Sequence, residues 1–441
     1  MRRLRRPTGG LWSNGDFVKL WTAQSISELG SQISALAIPW LAATGLHATS
    51  FEFALVGVVE LLPFILFALP AGVWVDRLRR RPILILGDAA RAVLLAYLPL
   101  AWLLGILDIW QLYAIAFTVG IFTVLFDVAY QSYLPVVVER NDLVEGNSKL
   151  QTTASAAQIG GPGLAGLLIG LVTAPYAIAL DALSFVVSAA FMIPIRRPEE
   201  LPERAEGEPR PKLLPELKEG LAYVLRHPYL KWIAACTGSA NFFNSITFSI
   251  ALLYMARELH VSSFWAGVVF AGFGTGAIVA ALTTTRLQRA VGVGPAIWIP
   301  TIFFSLAALS FPLAPTSFPV PVLLAGTLVT GFASMAYNIS QVSLRQAITP
   351  RRLQGRMNAS MRWIVWGTMP LGALAGGVLA TAYDRRTALW VGAIGGLFTF
   401  LPVLLSSVRS IREMPEPVDE NAAARVGVLE PLIGATVEVD A

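Results

Sequence analysis

The stretch Gly72-Val73-Trp74-Val75-Asp76-Arg77-Leu78-Arg79-Arg80-Arg81-Pro82 connects two long apolar segments of the chain. Its polar part holds four arginines and one acid. Loops of membrane proteins that stay in the cytoplasm are enriched in Lys and Arg. The stretch is therefore typical of a short cytoplasmic loop between two membrane-spanning helices.

The composition of the whole chain agrees with this interpretation. Of its 441 residues, 55% are hydrophobic and 14% are charged, whereas soluble domains carry about 25% charged residues. One cysteine and three histidines exclude a disulfide framework and a zinc cluster, so we expect no metal and no cofactor. The net charge of +5 comes from basic residues in short loops, which argues against nucleic acid as a partner.

Apolar runs predict twelve membrane-spanning helices, since about 20 residues cross a bilayer. Six are predicted in each half of the chain: 17–43, 50–75, 83–104, 108–134, 151–171 and 174–195, then 229–256, 262–284, 295–315, 319–344, 360–383 and 386–408. The predicted fold class is an all-α membrane protein with two six-helix bundles. Its predicted parts are a tail (1–16), a first bundle (17–195), a linker (196–228), a second bundle (229–408) and a tail (409–441).

The basic residues also predict the orientation of the chain. Of the 33 Lys and Arg residues, 26 fall in loops and tails on the side of the N-terminus and 3 fall in the opposite loops. Four others lie inside candidate helices or at their ends: Lys19, Arg91, Lys231 and Arg362. The positive-inside rule then places both termini and the linker in the cytoplasm. Within the linker, residues 213–225 predict a short amphipathic helix on the membrane surface.

The two halves resemble each other at an offset of 211 residues. Four identities carry this offset: Arg140 with Arg351, Asn147 with Asn358, Gly161 with Gly372, and Gly166 with Gly377. Identities in glycine-rich helices can also arise from composition. Together with the arrangement of six helices, a linker and six helices, they favour a duplicated transporter body.

The arginine-rich loop matches the signature G-x-x-x-D-R-x-G-R-[RK] of the major facilitator superfamily, except that Arg79 replaces the usual glycine. The chain is similar to this superfamily over 17–408. Three further runs resemble its bacterial drug-exporter branch, which includes macrolide efflux proteins and the enterobactin exporter: Asp88-Ala89-Ala90-Arg91, Leu134-Pro135 followed by 143–147, and Asp181-Ala182-Leu183-Ser184-Phe185. The resemblance implies a transporter with its first, fourth, seventh and tenth helices around a central cavity.

The signature loop also predicts a conformational latch. Asp76 can lie at the positive N-terminal end of a helix from the other half, and Arg77 or Arg80 can pair with Asp127. Contacts of this kind stabilise one conformation and break in the other. We assign Gly72 and Arg81 to the same latch. The alternative is that the arginines only enforce orientation.

Acids inside predicted helices are the candidates for proton coupling, because each costs about 2.5–3.5 kcal/mol at a helix centre. Gln24, Glu28 and Gln32 are spaced by four and form one polar stripe on the first helix. Glu60 lies near the middle of the second helix. Glu28 and Glu60 are the predicted proton carriers. The alternative is a structural hydrogen bond to a neighbouring helix.

Other buried charges favour a structural role. Asp88 and Arg91 are three residues apart and can neutralise each other on one helix face. For Asp127 and Asp181 the alternatives are a proton route and the pinning of adjacent helices, and we favour pinning.

Amides and aromatic residues predict the substrate cavity. The seventh and tenth helices present Asn241, Asn244, Tyr337, Asn338 and Gln341. With Gln24, Glu28 and Gln32 on the opposite wall, they suit a bulky, partly apolar substrate, including a cationic one. The alternative is that the amides only bond helices together.

The predicted fifth helix contains Gly161, Pro162 and Gly166. This run resembles the glycine-proline motif of exporters in the superfamily. Pro162 removes a backbone donor, and the glycines permit close approach of another helix. The functional interpretation is a bend that prevents leakage and favours export, whereas the alternative is simple helix packing.

No G-x-x-x-x-G-K-[ST] motif for ATP occurs in the sequence, and we expect no enzymatic activity. The sequence predicts a monomeric plasma-membrane transporter that exports small amphipathic compounds, such as drugs, antibiotics or siderophore-like molecules, in exchange for protons. The alternatives are a metabolite uptake symporter, a lysophospholipid flippase and a non-transporting receptor on the same fold.

Overall fold

A computed structural model of the protein describes residues 10–75, 78–195, 197, 199 and 213–414. Within these ranges the regular structure is helical, as a chain that spans a bilayer requires, because an α-helix satisfies its own backbone hydrogen bonds. The prediction of an all-α protein is confirmed.

The helices of the first half are α1 (Gly15–Trp40), α2 (Ser50–Val75), α3 (Arg80–Leu103), α4 (Ile109–Val137), α5 (Leu143–Val172) and α6 (Ala174–Met192). Those that follow are α7 (Leu213–Arg226), α8 (Leu230–Arg257), α9 (Ser263–Val291), α10 (Val293–Ala308), α11 (Ser310–Leu313), α12 (Pro319–Ile348), α13 (Arg351–Ala382), α14 (Arg385–Gly396) and α15 (Leu401–Leu404). A π-turn, Leu41–Gly45, extends α1.

Ten helical stretches within the described ranges are long and apolar enough to cross a membrane. The helices α1 and α8, with 26 and 28 residues, are also long enough but more polar. They contain the predicted stripe of Glu28 and the predicted amides of Asn241 and Asn244. The extra polarity of these two helices therefore coincides with residues predicted to face a cavity.

Several helices extend beyond their predicted ends. The fifth begins at Leu143 and not at the predicted 151, and the predicted helix at 360 begins at Arg351. These added turns are polar, a composition that from the sequence predicts loops. A helix does not have to end where the bilayer ends, because its backbone bonds are internal. Hydropathy marks the apolar part of each helix and not its full length.

The described residues fall into two compact units. The first lies within Met1–Gly207 and Ser249–Ala271, and the second lies within Glu208–Phe248 and Gly272–Ala441. The end of α8 and the start of α9 thus pack with the first unit, although they follow the linker in sequence. Arg257 of α8, for example, donates to the carbonyl of Ala43 at 2.6 Å.

Equivalent helices pack in the same way within each unit. In the first unit α1 packs against α5 and α6, and α3 packs against α4 and α6. In the second unit α10 packs against α12 and α14. A Cβ on Gly161 of α5 would overlap Gln32 of α1, and a Cβ on Gly372 of α13 would overlap the carbonyl of Phe242 in α8. Gly161 and Gly372, which are 211 residues apart, thus allow close packing of equivalent helix pairs, α5 with α1 and α13 with α8.

The amphipathic segment of the linker is helical, as α7. It packs against α13, where a Cβ on Gly220 would contact the carbonyl of Arg356 at 2.5 Å. Arg356 also donates to Glu219 at 2.5 Å. The helix is therefore held by protein contacts within the second unit.

Candidate transport site

The signature loop is described only in part. Asp76 and Arg77, the two central residues of the predicted latch, lie outside the described residues. Gly72 lies in the last turn of α2, and a Cβ there would meet nothing within 4 Å. Arg80 and Arg81 form the first turn of α3.

The first turn of α3 is bonded to the end of α6 and to Glu199, which follows it. The backbone N–H groups of Arg80 and Arg81 donate to Glu199 at 2.6 and 2.9 Å. The guanidinium of Arg81 donates to the carbonyls of Met192, at 3.4 Å, and Ile193. A carboxylate thus caps the start of one helix and a guanidinium caps the end of another, as their dipoles favour.

The described residues contain no ion pair between Arg80 and Asp127. Asp127 interacts electrostatically with Arg91 and Glu28. The structure therefore brings Asp127 to the intramembrane acids and not to the part of the signature loop that it describes.

Arg91 is the centre of a buried charge cluster in the first unit. Its guanidinium donates to Asp88 at 2.5 Å, and Ser188 donates to the second oxygen of Asp88 at 2.6 Å. The guanidinium also lies over the rings of Phe126 and Phe185, 4.3 and 4.1 Å from their centroids. Asp88 and Arg91 are 0% and 4% exposed. Hydrogen bonds and two aromatic faces compensate for this burial.

Asp181 of α6 belongs to the same cluster. It accepts hydrogen bonds from Ser34 of α1 and, at 3.0 Å, from Ser184. A Cβ on Gly30 of α1 would overlap Asp181 and Ser184, so only glycine permits this approach. Asp181 also interacts electrostatically with Arg91. Its carboxyl therefore joins α6 to α1, the geometry that a pinning role requires.

Glu28 completes the cluster. It accepts a hydrogen bond from Gln32 at 3.4 Å and interacts electrostatically with Arg91 and Asp127. The Oε1 atom of Gln24 is buried without a hydrogen-bond partner. Asp88 thus forms an ion pair with Arg91, and the carboxyl groups of Glu28, Asp127 and Asp181 interact with Arg91 electrostatically. We call this set the acidic cluster.

Glu60 lies apart from the acidic cluster. It is on α2 where this helix crosses α4, and its backbone carbonyl is 3.4 Å from a Cβ placed on Gly120. In the described part of the chain no hydrogen bond or ion pair reaches the Glu60 side chain. The structure therefore does not join the two predicted proton carriers in one site.

The second unit contains a cavity of about 500 Å³. Four of the predicted amide and aromatic residues line it: Asn241, Tyr337, Asn338 and Gln341. Asn241 donates to the carbonyl of Val365 at 3.0 Å, and Gln341 donates to Asn338 at 3.0 Å. Asn244 is not among the lining residues.

Four further lining residues are not predicted from the sequence as part of a cavity. They are two arginines, Arg345 and Arg362, with Asn358 and Trp366. The sequence predicts that Arg345 lies in a basic cytoplasmic loop, but it lies in the last turn of α12. Arg362 falls inside a predicted helix and received no role. An arginine within a membrane helix is by itself a signal of a functional site, and that signal is present in the sequence.

The glycine-proline motif lies in α5 at a close backbone contact within the first unit. A Cβ on Gly166 would overlap the carbonyl of Ser263, and a Cβ on Gly267 would overlap the carbonyl of Pro162. Ser263 Oγ donates to the carbonyl of Gly166 at 3.0 Å. The motif therefore allows α5 to lie directly against the start of α9.

The described residues offer no group of three or more His, Cys, Asp and Glu side chains that could hold a metal ion. Cys236 is buried as a free thiol.

Comparisons with known proteins agree with this fold. The family described as Transmembrane secretion effector matches residues 11–440. The enterobactin exporter EntS of Citrobacter koseri is 26% identical over 362 residues, covering 80% of this chain and 82% of the exporter. The multidrug efflux pump Tap of Mycolicibacterium fortuitum is 24% identical over 416 residues, covering 90% and 95%. A crystal structure of the nucleoside transporter NupG matches with a TM-score of 0.66 at 11% identity, covering 88% of this chain and 98% of that chain.

Proposed function

This chain belongs to the Transmembrane secretion effector family of the major facilitator superfamily, and from that membership we propose that it exports small amphipathic compounds across the plasma membrane in exchange for protons. That the chain is a multi-pass membrane transporter and not an enzyme follows from the family and its relatives. We propose export as the direction of transport, small amphipathic compounds as the substrates, and the proton as the coupling ion.

The acidic cluster is the observation that carries the proposal. With all four carboxyl groups ionised beside one guanidinium, the cluster would bear a net charge of −3 inside the membrane. Both burial and like charge disfavour that state. Such a set of groups can take up and release a proton as its access to water changes.

Within the cluster, Glu28 is the best proton carrier. Asp88 and Asp181 are 0% and 1% exposed and are held by short contacts to serines. Glu28 is half-buried, and its hydrogen bond to Gln32, at 3.4 Å, is long. A weakly held, partly accessible carboxyl changes its protonation more readily than a fully buried one. Asp127, which interacts with Glu28, is the neighbour to which its state is coupled.

Export is supported by the relatives and by α5. The two relatives described above are named as an exporter and an efflux pump. The close contact of Gly166 with Ser263 in the first unit fits a seal that only small residues permit. The latch of Gly72, Asp76 and Arg77 stays part of the proposal through the family signature. Both termini lie in the cytoplasm, as the basic loops predict.

Transport in proteoliposomes tests the proposal. The full-length protein is reconstituted, and three dansyl dyes of different charge are loaded: dansylcadaverine (cation), dansylglycinamide (neutral) and dansylglycine (anion). We expect a pH gradient to drive efflux of at least one dye. Glu28→Gln is expected to abolish the dependence on the gradient while dye-for-dye exchange persists, because exchange needs no proton release.

Exposed Glu139→Gln is the matched control and is expected to behave as the wild type. Glu60→Gln tests the second predicted carrier. Proton antiport is rejected if Glu28→Gln and Glu60→Gln both leave gradient-driven efflux unchanged. Uptake in place of efflux with the gradient directed inward identifies a symporter instead.

A further inference from the structure

The cavity of the second unit has a basic lining. Two guanidinium groups, those of Arg345 and Arg362, are among its lining residues, and none of those residues is Asp or Glu. A guanidinium that is taken out of water without a paired anion costs free energy. In the first unit this cost is offset by the acids around Arg91. The described lining of the second unit's cavity contains no such acid.

Arg345 is incompletely bonded. Its guanidinium donates to the amide oxygen of Asn358 at 3.4 Å, and its Nε is buried without a hydrogen-bond partner. It forms no ion pair with the rest of the described chain. A guanidinium presents five N–H donors in a fixed plane, which matches a carboxylate or phosphate with two parallel bonds. A carboxylate or phosphate would therefore match the unbonded donors of Arg345.

Arg362 contributes a second charge and an aromatic surface. It lies on α13 with its guanidinium 5.2 Å from the centroid of the Trp366 ring. Both side chains are exposed and line the cavity. The indole face provides apolar contact area beside the two charges. A group that can bind an anion therefore lies beside a surface that can bind an apolar group.

Arg345 lies in the last turn of α12, where a cation also stabilises the helix dipole. Arg362 lies at the start of the apolar part of α13, because the turns before it are polar. The presence of both arginines in one cavity lining, and not their position along the helices, points to a ligand.

We propose that this cavity binds the anionic group of an amphipathic compound, with Arg345 and Arg362 as its charged contacts and Trp366 as its apolar wall. The inference rests on the proposed export function and names the charge of the exported compound. It narrows the expected amphipathic substrates, which include cationic compounds, to anionic ones, because the charged residues of this cavity are basic.

Binding without any pH gradient tests this inference. The full-length protein in phosphatidylcholine nanodiscs is titrated with dansylglycine, dansylglycinamide and dansylcadaverine, and fluorescence anisotropy is measured. We expect the anionic dye to bind at least about tenfold more tightly than the cationic dye, since a charged hydrogen bond contributes about that factor.

Arg345→Gln and Arg362→Gln are each expected to weaken dansylglycine binding about tenfold and to leave dansylglycinamide unchanged. Arg289→Gln is the matched control, because Arg289 lies on α9 of the same unit and does not line the cavity. Since Arg345 is half-buried, its variant can lose stability as well as binding. Arg362 is exposed, so its variant is expected to fold and to report binding alone.

An anionic lipid headgroup and an anionic solute share this chemistry, and phosphatidylglycerol nanodiscs separate them. If this lipid weakens dansylglycine binding to the wild type more than to Arg362→Gln, the headgroup occupies the same site. The inference is overturned if the cationic dye binds as tightly as the anionic dye, or if the arginine variants weaken all three dyes equally. Binding that persists without gradient-driven transport contradicts the proposed function and leaves the anion site standing.

Discussion

Gly166 of α5 and Ser263 of α9 are in direct backbone contact, with Ser263 Oγ donating to the Gly166 carbonyl at 3.0 Å. A Cβ on Gly166 would overlap the carbonyl of Ser263. Both residues belong to the first unit. The separation of α5 from the start of α9 is thus set by the absence of a side chain at Gly166, together with the absence of one at Gly267.

A glycine series tests this contact. Gly166→Ala is expected to lower the melting temperature and the efflux rate, because overpacking costs about 1–3 kcal/mol and α9 must shift. Gly160→Ala and Gly163→Ala are the matched controls, since a Cβ at either position meets nothing within 4 Å. Thermal unfolding and efflux are measured on the same preparations. Equal activity of Gly166→Ala and Gly163→Ala would show that the contact does not constrain transport.

Breaking the ion pair of Asp88 and Arg91 is expected to lower the stability of the protein, because either charge alone would be buried without a partner. Arg91→Met leaves the buried carboxyl of Asp88 without its cation, and we expect a loss of about 3–5 kcal/mol. The double variant with Asp88→Asn should recover part of this loss, because no unpaired charge remains. Unfolding of the two single variants and the double variant measures the coupling. Strictly additive losses would contradict a direct pair.

Glu199 is expected to stabilise the start of α3. It accepts hydrogen bonds from the N–H groups of Arg80 and Arg81 at 2.6 and 2.9 Å. Glu199→Gln removes the negative charge from a helix N-terminus and should cost about 0.3–1 kcal/mol, measured as a lower melting temperature. The loss should shrink at high salt, because salt screens the charge. Glu139→Gln, at an exposed carboxyl, should show no comparable change.

The turn between α7 and α8 is expected to lose stability in acid. Burial lowers the pKa of His227 to about 4, and its neutral Nδ1 accepts hydrogen bonds from the N–H groups of Tyr229 and Leu230 at 3.2 and 3.4 Å. A lowered pKa means that the unfolded chain binds the proton first. The stabilising contribution is therefore full above about pH 6.5 and is lost as the pH falls towards about 4.

The variant His227→Asn isolates this effect, because an Asn oxygen can accept the same bonds without titrating. We expect the melting temperature of the wild type to fall more steeply from about pH 6.5 to about pH 4 than that of the variant. His260→Asn is the control, at an exposed histidine with a φ of 50° that Asn tolerates. Parallel curves for the wild type and His227→Asn would contradict the assignment.

Part of the site follows from local spacing. Asp88 and Arg91 share a helix face because they are three residues apart, and the predicted pair is a hydrogen-bonded one at 2.5 Å. Asn241, Tyr337, Asn338 and Gln341 stand out in the sequence as polar residues in apolar helices, and all four line one cavity. Polarity inside a membrane helix is costly, which makes it informative without any structure.

Other contacts connect residues that no local pattern relates. Asp127 interacts electrostatically with Glu28 and Arg91, which lie on two other helices. Arg345 and Arg362 line the same cavity from different helices, although the sequence indicates only a loop position for Arg345. Contacts between helices depend on how each helix is rotated and shifted against its neighbours, and side-chain packing sets both.

The class of this fold and the order of its helices follow from local features of the chain: apolar length, basic loops and the signature from Gly72 to Pro82. The charge contacts follow from helix packing. Arg91 pairs with Asp88 and interacts with three further carboxyl groups, while Arg345 and Arg362 line a cavity whose described lining holds no acid. The physical reason is that charge pairing acts over a few ångströms, between residues that helix packing brings together from distant parts of the chain.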